Sequence, residues 1–232
     1  MKICVIGNSH VASLKLGWDR VAAEFPGVEL CFFAAKGHMM SGLEVEGGKL
    51  VSGNNKLGTL LARFSDGVSE IRPQDFDAFV LYGLALYLPR LEVGSSKELR
   101  RAAAKDYLSN SVVLNLLMKL RSITDKMIWI GPCPMEATCE DISERPLMDY
   151  SALASDMSEY LGDARTAILG QPLNTVTPEL TTPFGFCNAA IHLQVSSQGS
   201  EVVELRKGET KHMNAEFGAL WLQANLPRVI AC

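Results

Sequence analysis

One serine, Ser9, stands between an apolar run at residues 3–6 and a segment with helical spacing. A serine at the first turn of a helix lies where the positive end of the helix dipole stabilises an alkoxide or a nearby oxyanion. Its hydroxyl is a poor nucleophile until a base takes the proton. A catalytic role for Ser9 therefore requires a partner histidine, and the alternative is that Ser9 is only the N-cap residue of the helix.

The chain has four histidines, and only one of them is suited to be that partner. His10 is adjacent to Ser9, but neighbouring side chains on a helix diverge by about 100°. His212 lies in a loop before the last predicted helix, three residues after Glu209. An acid at this spacing is able to orient one ring nitrogen so that the other faces the serine. We predict Ser9 as nucleophile, His212 as general base and Glu209 as orienting acid; a surface histidine and a solvated glutamate are the alternatives.

Several other functional motifs do not fit this sequence. The first turn, residues 7–12, has one glycine and lacks the G-x-G-x-x-G of dinucleotide sites. Residues 42–50 read GLEVEGGKL, with Leu where a P-loop needs Ser or Thr. The G-x-S-x-G elbow fails because position 11 is Val. The six cysteines are scattered without zinc spacing. We therefore expect no metal and no organic cofactor.

Short apolar segments alternate with helical patterns along the chain. The predicted strands are 2–6, 28–34, 77–82 and 126–131, and the predicted helices are 9–24, 56–64, 96–122, 149–162 and 214–226. This alternation predicts an α/β fold with a mainly parallel sheet between two helical layers, and one domain over residues 1–232. A small hairpin is predicted at 43–51. The polar run Ser109-Asn110-Ser111 leaves a kink or a split as the alternative to one continuous helix at 96–122. Residues 163–208 give no clear pattern, and we expect them at the rim of the pocket.

The amino-acid composition limits the kinds of molecule that this protein is expected to bind. The chain is 47% hydrophobic and 21% charged with a formal net charge of −4, which argues against a nucleic-acid partner. No apolar run reaches the ~18 residues of a transmembrane helix, and we expect no membrane association. The start of the sequence lacks a signal-peptide pattern, and unpaired cysteines fit a reducing compartment. The sequence therefore predicts a cytoplasmic location.

The order of these features resembles the SGNH (GDSL-type) hydrolases, a flavodoxin-like α/β group of esterases, lipases and carbohydrate O-acetyl esterases. Gly7-Asn8-Ser9 stands where that family has Gly-Asp-Ser, and Glu209-x-x-His212 stands where it has Asp-x-x-His. Gly37 matches the lone glycine of the family's second block. The third block, Gly-x-Asn, differs here: the chain reads Gly83-Leu84-Ala85, so Ala85 replaces the asparagine that helps form the oxyanion hole.

The resemblance implies a serine esterase or acyltransferase that acts on a small acyl ester, such as an O-acetylated carbohydrate. It implies an oxyanion hole made by the backbone N–H groups of Ser9 and Gly37. Asn8 is close in sequence to this site, and its amide is an alternative donor.

Two further implications concern the substrate and the missing asparagine. The candidate substrate contacts are His10, His38 and Gly83, with structural roles as the alternative for the histidines. Loss of one oxyanion donor costs about 3–4 kcal/mol of transition-state stabilisation in other enzymes. Ala85 therefore favours an alternative function, a carbohydrate- or partner-binding module with little or no catalysis.

Overall fold

The computed structural model describes residues 1–138, 150–188, 190–196, 199–204 and 210–231. Its strands, in chain order, are β1 (Lys2–Gly7), β2 (Glu29–Ala34), β3 (Leu43–Glu46), β4 (Lys49–Ser52), β5 (Ala78–Tyr82), β6 (Ile128–Gly131), β7 (Ala137–Thr138), β8 (Thr166–Ile168), β9 (Thr182–Pro183), β10 (Ile191–Ser196) and β11 (Gly199–Glu204). Its helices are α1 (Val11–Val21), α2 (Asn55–Phe64), α3 (Lys97–Ser109), α4 (Val112–Arg121), α5 (Tyr150–Leu161) and α6 (Ala215–Ile230).

Five strands form the central sheet, in the order β2-β1-β5-β6-β8, and every neighbouring pair is parallel. Numbered within this sheet alone, the order is 2-1-3-4-5, which is the flavodoxin-like arrangement of doubly wound sheets. The predicted α/β fold with a mainly parallel sheet between helical layers is confirmed. The carboxyl ends of the strands meet at one edge, where such folds bind ligands.

Alternate residues of β1 supply two separate hydrophobic layers, as expected for a strand that is covered on both faces. Cys4 and Ile6 pack with buried residues of α2, α3, α4 and α5 on one face of the sheet. Ile3 and Val5 pack with buried residues of α1 and α6 on the other face. The protein therefore has three layers, with α1 and α6 alone forming the second helical layer among the described helices.

Two glycines allow α1 and α6 to pack against each other at very short range. A Cβ atom on Gly218 would lie 1.8 Å from the carbonyl oxygen of Ser13, and one on Gly17 would lie 2.3 Å from the backbone nitrogen of Ala219. Gln223 of α6 donates to the carboxylate of Glu24, which follows α1. The contacts therefore run from Ser13 with Gly218 to Glu24 with Gln223, toward the C-terminus of both helices. The two helices thus run in the same direction.

Most of the predicted elements outside the sheet are also present. The hairpin predicted at 43–51 is β3–β4, and Gly47 and Gly48 at its turn both have positive φ, as a two-residue type I′ turn requires. The helix predicted at 149–162 is α5, and Gly162 follows it at φ 62°.

Two helices differ from the continuous form that was predicted, and one strand was missed. The segment predicted as helical at 96–122 is two helices, α3 and α4, and the split falls at the polar run Ser109-Asn110-Ser111 that was the alternative to one continuous helix. The last helix was predicted to end at residue 226, yet α6 continues through Pro227 to Ile230, although proline normally stops a helix. Strand β8 was not predicted, since three residues are too few to show a periodicity.

No helix within the described ranges has both the length and the apolar composition needed to cross a membrane.

Candidate active site

Ser9 and His212 meet at the carboxyl edge of the central sheet. Oγ of Ser9 and Nε2 of His212 lie 2.9 Å apart, although 203 positions separate the two residues in the sequence. This is the distance at which a histidine that carries its proton on the other ring nitrogen accepts the proton of a serine hydroxyl. The pair therefore has the geometry of a nucleophile and its general base.

The turn that carries Ser9 depends on the glycine before it. A Cβ atom on Gly7 would lie 2.3 Å from the carbonyl oxygen of Tyr82 and 2.4 Å from Cγ2 of Val11. Only glycine therefore lets the chain leave β1 beside β5 and enter α1 at once. The N-cap residue of α1 is His10, and no side chain caps the helix by a hydrogen bond. The alternative in which Ser9 is the N-cap is wrong, because its hydroxyl contacts His212 instead.

The loop that carries His212 is fixed on both sides. Ahead of it, the carbonyl oxygen of Thr210 accepts a hydrogen bond from the backbone N–H of Ala137 at 2.8 Å. Behind it, Oδ1 of Asn214 caps α6 by accepting from the N–H of Phe217 at 3.0 Å. The side-chain amide of Asn214 also donates to the carbonyl oxygens of Gly185 and Asn188. These contacts hold the imidazole one turn ahead of α6.

His10 belongs to the same cluster of side chains as Ser9 and His212. Its ring stacks on that of His212, with centroids 5.0 Å apart and planes inclined by 23°. Oδ1 of Asn8 accepts from the backbone N–H of His10 at 3.2 Å, and the Ser13 hydroxyl donates to the His10 carbonyl oxygen at 2.9 Å. His10 is thus a buried neighbour of His212.

The residues predicted for the oxyanion hole and for substrate contact lie around this edge. Gly37 begins a 3₁₀ turn, Gly37–Gly42, shortly after β2, the strand next to β1. His38 is exposed in the same turn, and its carbonyl oxygen accepts from Ser41. Asn8 is buried beside Gly83: a Cβ atom on that glycine would lie 2.5 Å from Oδ1 of Asn8.

The segment after β5 has a left-handed backbone. Gly83, Leu84 and Ala85 have φ values of 74°, 52° and 59°, and the N–H of Leu86 donates to the carbonyl oxygen of Gly83 at 2.9 Å. This turn is the type I′ form, which favours Asn and Gly at its two central positions. Leu84 and Ala85 occupy them here, at a cost on the order of 1–3 kcal/mol each. Backbone strain of this size often marks a functional site.

Glu209, the predicted orienting acid, lies outside the described residues. The structure therefore does not test its role. No cluster of three or more His, Cys, Asp or Glu side chains suited to a metal ion occurs in the described part of the chain.

A cleft of about 220 Å³ adjoins the Ser9–His212 pair, and His10 lines it. Its other lining residues are Tyr87, Leu88, Arg90, Cys133, Pro134, Met135, Glu136, Leu180 and Lys211. They come from the segments after β5 and β6, from Leu180 and from the loop of His212. The cleft could not be predicted from the sequence, because no spacing rule links loops that are so distant along the chain.

Cys133 in this cleft is not a second nucleophile. Burial raises the pKa of its thiol to about 12, despite hydrogen bonds from the Tyr87 hydroxyl and from nearby backbone N–H groups that act in the opposite direction. The thiol is therefore protonated at neutral pH, and a thiol is far less nucleophilic than a thiolate.

Comparison with known proteins gives similarity in fold only. No protein-family model matches this chain, and no curated protein matches it either. Among solved structures, the periplasmic domain of a lipopolysaccharide acetyltransferase from Salmonella ser. Paratyphi A is similar at a TM-score of 0.48 and 13% identity, over 99% of this chain and 83% of that one. The salicylyl-acyltransferase SsfX3 of a tetracycline biosynthetic pathway is similar at 0.39 and 14%, over 99% of this chain and 54% of that one. Both of these similar structures are acyltransferases.

The predicted cytoplasmic location is corrected by this comparison. The first of the two similar structures is a periplasmic domain, which contradicts it. The prediction depended on scattered cysteines and on the start of the sequence, and neither feature reports reliably on the compartment.

Proposed function

We propose that this chain is a serine-dependent acyl ester hydrolase or acyltransferase of the SGNH type. The observation that carries the proposal is the 2.9 Å contact between Oγ of Ser9 and Nε2 of His212. It joins the two sequence blocks that resemble the SGNH family at the sheet edge where α/β proteins bind ligands. The substrate is a small acyl ester, and an O-acetylated carbohydrate is the example that the family resemblance supports.

In the first half of the reaction, Oγ of Ser9 attacks the acyl carbonyl carbon while Nε2 of His212 takes the hydroxyl proton. The tetrahedral intermediate then collapses, and the bond to the alcohol oxygen breaks. The imidazolium of His212 returns its proton to that alcohol as it leaves. Ser9 now carries the acyl group as an ester.

In the second half, water or an acceptor alcohol attacks the acyl–Ser9 ester. His212 takes the proton from the attacking oxygen and gives it to Oγ of Ser9 as that bond breaks. With water the product is a free acid, and with an alcohol it is a new ester. Glu209 holds the imidazole in the required tautomer, a role proposed from the acid-x-x-His spacing alone.

The negative oxygen of the intermediate requires hydrogen-bond donors. We assign this role to the backbone N–H groups of Ser9 and Gly37 and to the side-chain amide of Asn8. Burial of Asn8 next to Gly83 supports the last assignment, because it holds the amide close to the turn of Ser9. The N-terminus of α1 adds a favourable dipole for the same charge.

An alkyl fluorophosphonate tests the proposal without knowledge of the natural ester. Attack by Oγ of Ser9 on phosphorus expels fluoride and leaves a stable adduct. We expect one adduct per chain, mapped by peptide mass spectrometry to Ser9, absent in Ser9→Ala and much slower to form in His212→Ala. Equal labelling of the heat-denatured protein, or an adduct on another residue, would contradict the assignment.

The second candidate function is a binding module with little catalysis, and Ala85 is the observation that favours it. The family's third block supplies an amide at this position, whereas alanine supplies no side-chain donor. The two functions differ in what happens when that amide is restored.

We expect Ala85→Asn to raise kcat for para-nitrophenyl acetate by about tenfold or more if the protein is an enzyme, since one oxyanion donor is worth about 10²–10³ in kcat elsewhere. Asparagine also tolerates a positive φ better than alanine, so the melting temperature should not fall. Ala85→Gly is the matched control, because it relieves the same backbone strain without adding a donor. An equal gain in both variants would argue against an oxyanion role, and no gain in either would favour the binding module.

A further inference from the structure

The cleft beside Ser9 and His212 contains an arginine, Arg90. Nη2 of Arg90 donates to the carbonyl oxygen of Leu180 at 3.0 Å, and Arg90 forms no ion pair within the described ranges. A guanidinium has five N–H donors, so one contact anchors the group and leaves most of its donors for a ligand.

Several other arginines of this protein have acidic partners. Five of them pair with carboxylates: Arg72 with Glu70, Arg100 with Asp156, Arg101 with Glu159, Arg121 with Asp163 and Arg165 with Asp125. Arg90 differs from these in facing the cleft next to Ser9 and His212. The difference matters because a planar guanidinium binds carboxylate or phosphate in a two-point contact.

The remaining charges of the cleft fit an anionic ligand. Glu136 is its one lining carboxylate among the described residues, and Oε1 of that group accepts from the Thr210 hydroxyl at 2.6 Å. Lys211 lines the cleft as a second cation. Among the described lining residues, Arg90 is thus a cation without a carboxylate partner, and the one carboxylate is already hydrogen-bonded.

The size of the cleft indicates which part of an ester it receives. A volume of about 220 Å³ equals about seven water molecules at their liquid volume, which exceeds what an acetyl group fills. The walls include the apolar Leu88, Met135 and Leu180 and the exposed ring of Tyr87. Such walls suit a ring or short chain with a charged end.

We propose that this cleft binds the alcohol portion of the ester, and that Arg90 selects alcohols that carry a carboxylate or phosphate group. The inference rests on the proposed function, since it takes the Ser9–His212 pair as the reacting centre. Arg90 is a specificity-determining residue in this scheme, and His10 is the wall between the cleft and the general base.

Two matched acetate esters test the proposal: para-acetoxybenzoate, which is charged, and para-acetoxybenzamide, which is neutral and of nearly the same shape. We expect kcat/KM of the wild type to favour the charged ester by tenfold or more, mainly through KM. Arg90→Gln should remove this preference by lowering kcat/KM for the charged ester more than for the neutral ester. Arg90→Lys should keep part of it, and Arg20→Gln, an arginine of α1 that does not line the cleft, should keep all of it.

The outcomes separate this inference from the proposed function. Ser9-dependent turnover of both esters without preference would overturn the selection by Arg90 and leave the function intact. No Ser9-dependent turnover of either ester would count against the function. In that case, calorimetric titration with para-hydroxybenzoate decides the inference: binding that Arg90→Gln abolishes would support it, and no binding would overturn it. A third ester, para-acetoxyphenyl phosphate, distinguishes phosphate from carboxylate as the preferred anion.

Discussion

Ser9→Ala should lower kcat for para-nitrophenyl acetate by about a thousandfold to a millionfold, the range seen when the nucleophile of a serine–histidine pair is removed. The physical reason is that alanine offers no atom to form the acyl–enzyme bond, so only direct attack by water remains. The fold should not change, because the Ser9 hydroxyl caps no helix and its contact is with His212. Initial rates and a melting curve of the same preparation check both statements.

A double variant tests whether Ser9 and His212 act together. If Ser9 and His212 act as a unit, the double variant that carries both Ser9→Ala and His212→Ala should have a kcat no lower than that of either single variant. Independent effects that multiply would contradict the pair. Ser122→Ala is a suitable control, since that hydroxyl donates only to the carbonyl oxygen of Lys119 at the end of α4. We expect its rate to match the wild type, and a comparable loss there would point to general damage to the protein.

Gly218→Ala should destabilise the protein by about 3 kcal/mol, or about 6–12 °C in Tm for a chain of this length. The new methyl carbon would lie 1.8 Å from the carbonyl oxygen of Ser13. A backbone atom cannot turn aside as a side chain does, so α1 and α6 must separate. The gain in helix propensity from glycine to alanine, about 1 kcal/mol, is too small to offset this overlap. Thermal and urea unfolding measure the loss.

The same substitution elsewhere provides the control. Gly58 lies within α2, and its nearest neighbours for a new Cβ atom are side-chain atoms of Ser52 at 3.5 Å, an ordinary contact. Gly58→Ala should therefore leave stability unchanged or raise it by up to about 1 kcal/mol. Equal losses at both glycines would mean that the close helix packing is not the cause. Gly218→Ala should also reduce activity, because Ser9 and His212 immediately precede the two helices that it separates.

The fold could be read from the sequence where local signals agreed. Alternating apolar runs predicted the strands up to β6, and Gly47-Gly48 predicted the β3–β4 turn because glycine accepts positive φ at both central positions. Boundaries were less accurate where tertiary packing overrode a local rule. Pro227 inside α6 is the clearest case, since the preceding turns are anchored by buried residues such as Trp221 and Leu222.

The candidate site was readable only in part. The order of Ser9, Glu209 and His212 predicted the long-range pairing of the serine and the second histidine, which the 2.9 Å contact now brings together. The stacking of His10 on His212 could not be predicted, because the angle between side chains on a helix says nothing about a ring that comes from another loop. The left-handed turn at Leu84–Ala85 was equally hidden, since neither residue type favours it.

Because α1 and α6 pack in parallel, the elements that position Ser9 and His212 differ from those that line the cleft. Ser9 and His212, the proposed reacting residues, lie in the turns before these helices, so their spacing depends on the place where Gly17 and Gly218 bring the two helix backbones together. The cleft residues that would determine specificity for the alcohol come largely from the segments after β5 and β6. If the proposed function holds, residues of those segments, such as Arg90, are positions at which substrate choice can be altered while the distance between Ser9 and His212 stays fixed.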